Sequence, residues 1–106
     1  MSEWVRVADA GDVPEGELRS YTVGNRTVAV ANVGGDLQAF DDTCTHHGCS
    51  LSEGELDGTI VECPCHGGRF DVITGEVVGG PPSDPVDVFE VVEADGEIRI
   101  RTRDDD

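Results

Sequence analysis

Residues 44–68 read C-T-H-H-G-C-S-L-S-E-G-E-L-D-G-T-I-V-E-C-P-C-H-G-G and contain all four cysteines and all three histidines of the chain. A C-x-H box lies at Cys44 and His46, and a C-x-x-H box lies at Cys63 and His66. Sixteen residues separate the two boxes. Each box offers one thiolate and one imidazole, which are ligands for transition metals. The stretch therefore predicts two loops that present Cys and His to one shared metal site.

Outside this stretch the chain alternates apolar and polar residues, and no segment keeps a helical period for more than two turns. We therefore predict an all-β protein. A hairpin is expected at Ala94-Asp95-Gly96, between two runs rich in Val and Ile. The predicted strands are Trp4 to Ala8, Leu18 to Val23, Thr27 to Val33, Leu37 to Asp41, Gly58 to Glu62, Arg69 to Val72, Pro85 to Glu93 and Glu97 to Arg101.

The predicted strands on either side of the Cys and His residues come from the two ends of the chain. We expect a single domain over residues 1–106, with an antiparallel β sandwich or barrel-like base formed by residues 1–40 and 83–103. The metal-binding segment, about residues 41–82, is expected to be a subdomain inserted into this base.

The charge balance limits the classes of partner. The chain has 23 acidic residues against seven basic ones, all of them arginine, and a formal net charge of −16. Such a chain lacks the basic stripe that nucleic acids and anionic membranes need, so neither is an expected partner. Acidic residues spread over the whole length are typical of proteins from halophiles, in which counterions relieve the self-repulsion. An ordinary acidic carrier is the alternative interpretation.

The chain contains no apolar run long enough to span a membrane and no leader-like start, so we expect a soluble, cytoplasmic protein without membrane insertion. In a reducing compartment, four cysteines are expected to bind a metal or to take part in redox chemistry.

The two boxes resemble those of Rieske-type [2Fe–2S] proteins, and the resemblance extends beyond the boxes. Its further elements are Leu51 after the first box, Gly67 after the second, the strand Arg69-Phe70-Asp71, the turn Thr74-Gly75 and the proline loop Gly80-Pro81-Pro82. The resemblance implies a Rieske-like fold and one [2Fe–2S] cluster per chain.

Transferred by position, the resemblance implies that Cys44 and Cys63 bind one iron, and that His46 and His66 bind the other. Replacing two thiolates by neutral imidazoles leaves the cluster less negative and raises its reduction potential. The third histidine, His47, is expected to face solvent.

Cys49 and Cys65 stand where some Rieske proteins have a disulfide between the two cluster loops. The resemblance therefore implies a Cys49–Cys65 disulfide, which would add about 3 kcal/mol by closing a loop of about 15 residues. Two free thiols beside the site are the alternative.

High-potential Rieske proteins usually carry Ser and Tyr hydroxyls after the second box, and this chain has Gly68 and Phe70 there. Hydrogen bonds to cluster sulfurs stabilise the extra electron, so their loss lowers the potential. We therefore expect a low value for a Rieske centre, about −150 mV to about 0 mV.

The function that the resemblance implies is electron transfer without catalysis: the chain would carry one electron from a flavoprotein reductase to an oxygenase or similar terminal enzyme. A small Rieske subunit of a larger oxidoreductase, such as nitrite reductase, is the alternative. A third interpretation is an interaction module in which the metal is incidental.

Other metal sites fit the spacing less well. A structural Cys2His2 zinc site is chemically suitable, but zinc fingers open with two cysteines, whereas this chain opens with C-x-H. A c-type haem needs C-x-x-C-H, and only one residue separates Cys63 from Cys65. A terminal oxygenase needs two further His ligands and a carboxylate for a mononuclear iron, and only His47 would remain.

Overall fold

The computed structural model describes residues 4–43, 49–65, 67–80 and 84–101. Within these ranges the chain forms ten β-strands and two short 3-10 helices, which confirms the prediction of an all-β protein. The strands are β1 Val5–Asp9, β2 Leu18–Val23, β3 Arg26–Val33, β4 Asp36–Asp41, β5 Glu55–Asp57, β6 Ile60–Glu62, β7 Arg69–Asp71, β8 Val77–Gly79, β9 Val88–Ala94 and β10 Glu97–Arg101. The 3-10 helices are Ala10–Asp12 and Leu51–Glu53.

Six strands form one antiparallel sheet in the order β1-β10-β9-β4-β3-β2. Its two outer strands, β1 and β2, contact each other, so the sheet curls into a nearly closed barrel. Closure of this kind covers the unpaired edges that an open sheet would expose.

The other four strands form a smaller antiparallel sheet in the order β5-β6-β7-β8. Its strands lie between β4 and β9 in sequence, so the chain leaves the barrel after β4 and re-enters it at β9. Among the described residues, no helix is long and apolar enough to cross a membrane.

Strand β3 is buried on both faces. Val28 and Val30 point into the barrel interior, where they pack with Ile98 and Ile100 of β10. Ala29 and Ala31 point the other way, into a second core that includes Phe40, Leu51, Val61 and Phe70. Because side chains alternate along a strand, one run of V-A-V-A supplies both cores. The small alanine side chains leave room for the larger residues of the second core.

The hairpin between β9 and β10 confirms the expectation at Ala94-Asp95-Gly96. Ala94 pairs with Glu97, and the two central residues both have positive φ, +55° at Asp95 and +76° at Gly96. This backbone conformation matches the right-handed twist of the flanking strands, and Asp-Gly is a favoured sequence for it.

The predicted strand list misses two strands, β5 and β8, and the strand expected at Gly58 to Glu62 begins only at Ile60. The predicted strand at Pro85 likewise begins later, at Val88. The two missed strands are three residues long, too short for an alternation pattern to stand out. Their pairing depends on neighbours in the small sheet.

Two valines of the barrel differ in burial and allow a matched test of the core. Val30→Ala removes two methyl groups from a fully buried position, and we expect it to lower the free energy of unfolding by about 2 kcal/mol. Val92→Ala is the control, because Val92 is 38% exposed and should cost less than about 0.5 kcal/mol. Urea denaturation in concentrated KCl measures both, and equal losses would contradict the assigned barrel core.

Candidate metal centre

The structure describes only one of the four residues that form the two boxes. Cys63 lies within the described residues, whereas Cys44, His46 and His66 lie outside them, as does His47. We call residues 44–48 the first loop and residues 63–68 the second loop.

The second loop is a tight turn between β6 and β7. The Cys63 N–H donates to the Gly68 carbonyl over 2.7 Å, and the Gly67 N–H donates to the Cys63 carbonyl over 3.2 Å. Gly67 has φ of +74°, a conformation that side chains disfavour. The glycine after the C-x-x-H box therefore allows the chain to turn back over Cys63.

Cys63 is almost fully buried, with 2% of its surface exposed, and it belongs to the apolar core shared by the two sheets. Phe40 and Phe70, each fully buried, belong to the same core. A thiolate is a ligand for soft metals and iron–sulfur clusters, and an apolar shell limits solvent access to such a site. The donor type and the surroundings of Cys63 therefore fit an iron–sulfur cluster ligand.

The two ends of the first loop are held together in the structure. Thr43 before the loop and Ser50 after it form an antiparallel bridge. Next to this bridge, the Asp42 carbonyl accepts a hydrogen bond from the Leu51 N–H over 2.7 Å. The chain on either side of the loop is therefore paired at Thr43 and Ser50, and Ser50 leads directly into the 3-10 helix Leu51–Glu53.

A disulfide joins Cys49, directly after the first loop, to Cys65 in the second loop. Their Cα atoms are 6.5 Å apart, within the usual range for a disulfide. The Sγ atoms of Cys49, Cys63 and Cys65 all lie within 4.8 Å of one another. The disulfide therefore ties the segment directly after the first loop to the second loop, beside the buried Cys63.

The start of the proline loop packs against the second loop at Gly80. A Cβ atom at Gly80 would lie 2.7 Å from the Gly67 carbonyl oxygen and 2.7 Å from the Gly68 Cα atom. Such distances are too short for any side chain, and Gly80 also has φ of +84°. Only glycine permits this approach, so the proline-loop resemblance has a steric basis at Gly80.

An acidic groove of about 270 Å³ opens beside Cys63 and Pro64. Glu53, Glu55 and Glu62 line it, and Glu55 lies directly opposite Glu62 across strands β5 and β6. Like charges at such a position destabilise a sheet. The sequence analysis found acidic residues along the whole chain and did not identify these three as neighbours of the site. No local sequence signal marks them, because the pairing of β5 with β6 brings Glu55 and Glu62 together.

Two glycines with nearly the same φ allow a matched test of the Gly80 contact. Gly16 has φ of +83°, and a Cβ atom at this position would have no other group within 4 Å. We expect Gly16→Ala to cost about 1 kcal/mol from backbone strain alone, and Gly80→Ala to cost about 1 to 3 kcal/mol more because of the clash. Urea denaturation gives both values, and similar losses would show that the approach at Gly80 is not tight.

Comparison with known proteins places this geometry in a family. Residues 3–90 match the Rieske [2Fe–2S] domain family. The chain is 45% identical over 98 residues to the ferredoxin CarAc of Metapseudomonas resinovorans, covering 92% of each chain. It is 40% identical over 102 residues to the biphenyl dioxygenase ferredoxin subunit of a Pseudomonas species, covering 95% of this chain and 87% of the relative.

Solved structures agree with the sequence comparison. The ferredoxin of carbazole 1,9a-dioxygenase from Nocardioides aromaticivorans superposes with a TM-score of 0.90 at 31% identity, covering 94% of this chain and 98% of the other. A chain from the complex of reduced oxygenase and oxidised ferredoxin in carbazole 1,9a-dioxygenase superposes with a TM-score of 0.85 at 44% identity, covering 91% and 99%. The chain therefore belongs to the Rieske [2Fe–2S] domain family, and it is an electron-transfer protein of the ferredoxin type that carries one [2Fe–2S] cluster.

Proposed function

We propose that this chain carries single electrons from a flavoprotein reductase to a terminal oxygenase and catalyses no reaction itself. The observation that carries this proposal is the match to ferredoxin subunits and components of dioxygenase systems, which covers 95% of the chain for the biphenyl dioxygenase ferredoxin subunit and 84% for the ferredoxin component of a naphthalene 1,2-dioxygenase system. These ferredoxin relatives favour the free carrier over the small subunit of a nitrite reductase. Purification from native cells separates the two alternatives, because a subunit would co-elute with a large reductase.

We further propose the ligand set Cys44, His46, Cys63 and His66. The two Cys would bind one iron as thiolates, and the two His would bind the other as neutral imidazoles. The burial of Cys63 supports its role. The disulfide supports a shared site, because Cys49 comes directly after the first loop and Cys65 is the neighbour of His66. When bound, such a cluster accepts and releases one electron.

We also propose roles for the segment around the ligands, for the disulfide and for the backbone of the second loop. The segment at about residues 41–82 would act as the cluster-binding subdomain, and the disulfide would hold its two loops together in the cell. The turn of the second loop uses the Cys63 N–H for an internal hydrogen bond to Gly68, so this group holds the loop shape.

The acidic groove at Glu53, Glu55 and Glu62 supports a partner with a basic docking surface. Complementary charges raise association rates, and salt weakens the effect. Reduction of the partner should therefore slow as KCl is added, in stopped-flow mixing of the two proteins.

A cytoplasmic location and adaptation to high salt stay predictions from composition. Thermal melts in dilute and concentrated KCl check the adaptation to high salt.

Adjacent histidines provide a matched test of the ligand set. We expect the dithionite-reduced protein to give a rhombic electron paramagnetic resonance signal with an average g near 1.9, together with two irons and two sulfides per chain. His46→Ala should abolish this signal, because it removes an imidazole ligand. His47→Ala should leave it unchanged. Loss of the signal in both variants, or one zinc per chain without iron, would contradict the proposed ligands.

The surroundings of the cluster predict a low reduction potential. Phe70 is fully buried and provides no hydroxyl group, and Gly68 has no side chain to donate a hydrogen bond. A redox titration should therefore give a value of about −150 mV to about 0 mV. A potential above about +200 mV, near the upper end for Rieske centres, would be incompatible with this reasoning.

A further inference from the structure

Asp42 is the only charged side chain buried from solvent among the residues that the structure describes, with 2% of its surface exposed. Moving an ionised carboxylate out of water is costly unless hydrogen bonds compensate. The chain has 23 acidic residues, and the described ones other than Asp42 keep contact with solvent. The contacts of Asp42 must therefore compensate for the burial of its carboxylate.

Asp42 contacts the segment that follows the first loop. Its Oδ1 atom accepts a hydrogen bond from the Ser52 N–H over 2.7 Å, and its carbonyl accepts one from the Leu51 N–H, also over 2.7 Å. On its other side, the Asp42 N–H donates to the Thr27 carbonyl of β3 over 3.0 Å. Asp42 thus links the barrel, the start of the first loop and the 3-10 helix after it.

The position of this link matters for the cluster site. Leu51, whose N–H bonds to Asp42, is fully buried in the same core as Cys63. The bridge between Thr43 and Ser50 lies next to Asp42 in the chain. The base of the first loop is therefore tied to the core that holds the second loop, and Asp42 supplies the only buried charge in this connection within the described residues.

The neighbouring Asp41 has a different environment. Its Oδ1 atom accepts from the Thr43 N–H over 2.9 Å, and its Oδ2 atom lies 3.4 Å from Arg26. Its side chain is 27% exposed, so solvent and Arg26 both stabilise its charge. Asp41 therefore contributes to the loop base from the surface, whereas Asp42 acts from inside.

We propose that Asp42 is a positioning residue for the iron–sulfur cluster. Its carboxylate holds the 3-10 helix against the end of β4, and this contact fixes the two ends of the first loop, whose sequence contains Cys44 and His46. The inference rests on the proposed ligand set. The carboxylate acts as a hydrogen-bond acceptor in this role, so an amide oxygen at the same place can replace it.

The first test uses the cluster-free chain and reads the hydrogen bond directly. In Asp42→Ala, amide hydrogen exchange at Ser52 should accelerate by about tenfold, because the N–H loses its acceptor. Asp42→Asn should stay within about threefold of the unsubstituted chain, because its amide oxygen still accepts a hydrogen bond. Asp57→Ala is the control for loss of an exposed carboxylate and should change nothing at Ser52. Unchanged exchange in Asp42→Ala overturns the inference.

The second test uses the reconstituted protein and follows the loss of cluster absorbance in the presence of an iron chelator. Asp42→Ala should lose its cluster several-fold faster and show shifted g values, whereas Asp42→Asn should restore both. Asp42→Ser is measured in parallel. It keeps a small polar group in the buried position and takes the place of Asp42→Ala if the alanine variant does not fold. Cluster loss at the unsubstituted rate in every Asp42 variant overturns the inference.

The two tests separate this inference from the proposed function. Failure of the unsubstituted chain to bind a cluster would overturn the proposed function, and with it the role of Asp42 in positioning ligands. A normal cluster in the unsubstituted chain, with equally fast loss in Asp42→Asn and Asp42→Ala, would overturn the role of Asp42 as a replaceable acceptor while leaving electron transfer intact.

Discussion

The structure depends on burying strand β3 on both faces. Val28 and Val30 help to close the barrel interior, and Ala29 and Ala31 form the floor on which the small sheet packs. The small sheet has short strands and could not form a stable core alone. Because both cores share one strand, a change in the register of β3 would exchange the valines for the alanines and disturb both cores at once.

The candidate metal centre combines backbone segments that are linked or closely packed with a buried Cys63 side chain. Cys63 lies in the shared core, and the disulfide and the close approach at Gly80 hold neighbouring segments against the second loop. Such constraints suit electron transfer, because the reorganisation energy is small when the geometry of a redox site changes little on reduction. The acidic groove beside it places three carboxylates next to Cys63, although the facing pair Glu55 and Glu62 opposes sheet stability.

Much of the fold was predictable because the relevant signals are local. Strand β2 and strand β10 have the predicted bounds, and the Asp95-Gly96 turn has the backbone that its residues favour. The short strands β5 and β8 were missed, since three residues carry no periodicity and their pairing comes from neighbours distant in sequence. The comparisons confirm the predicted family, while the positions of Cys44, His46 and His66 stay predictions.

The sequence alone was enough to predict the ligand types, because the spacing of Cys and His within two short boxes is a local property of the chain. It also determined the all-β class through alternating polarity. Tertiary structure decided what lies around the site: the burial of Asp42 against Ser52, the opposition of Glu55 and Glu62, and the contact at Gly80. These features join residues from separate strands and loops, and no local pattern specifies how such segments meet.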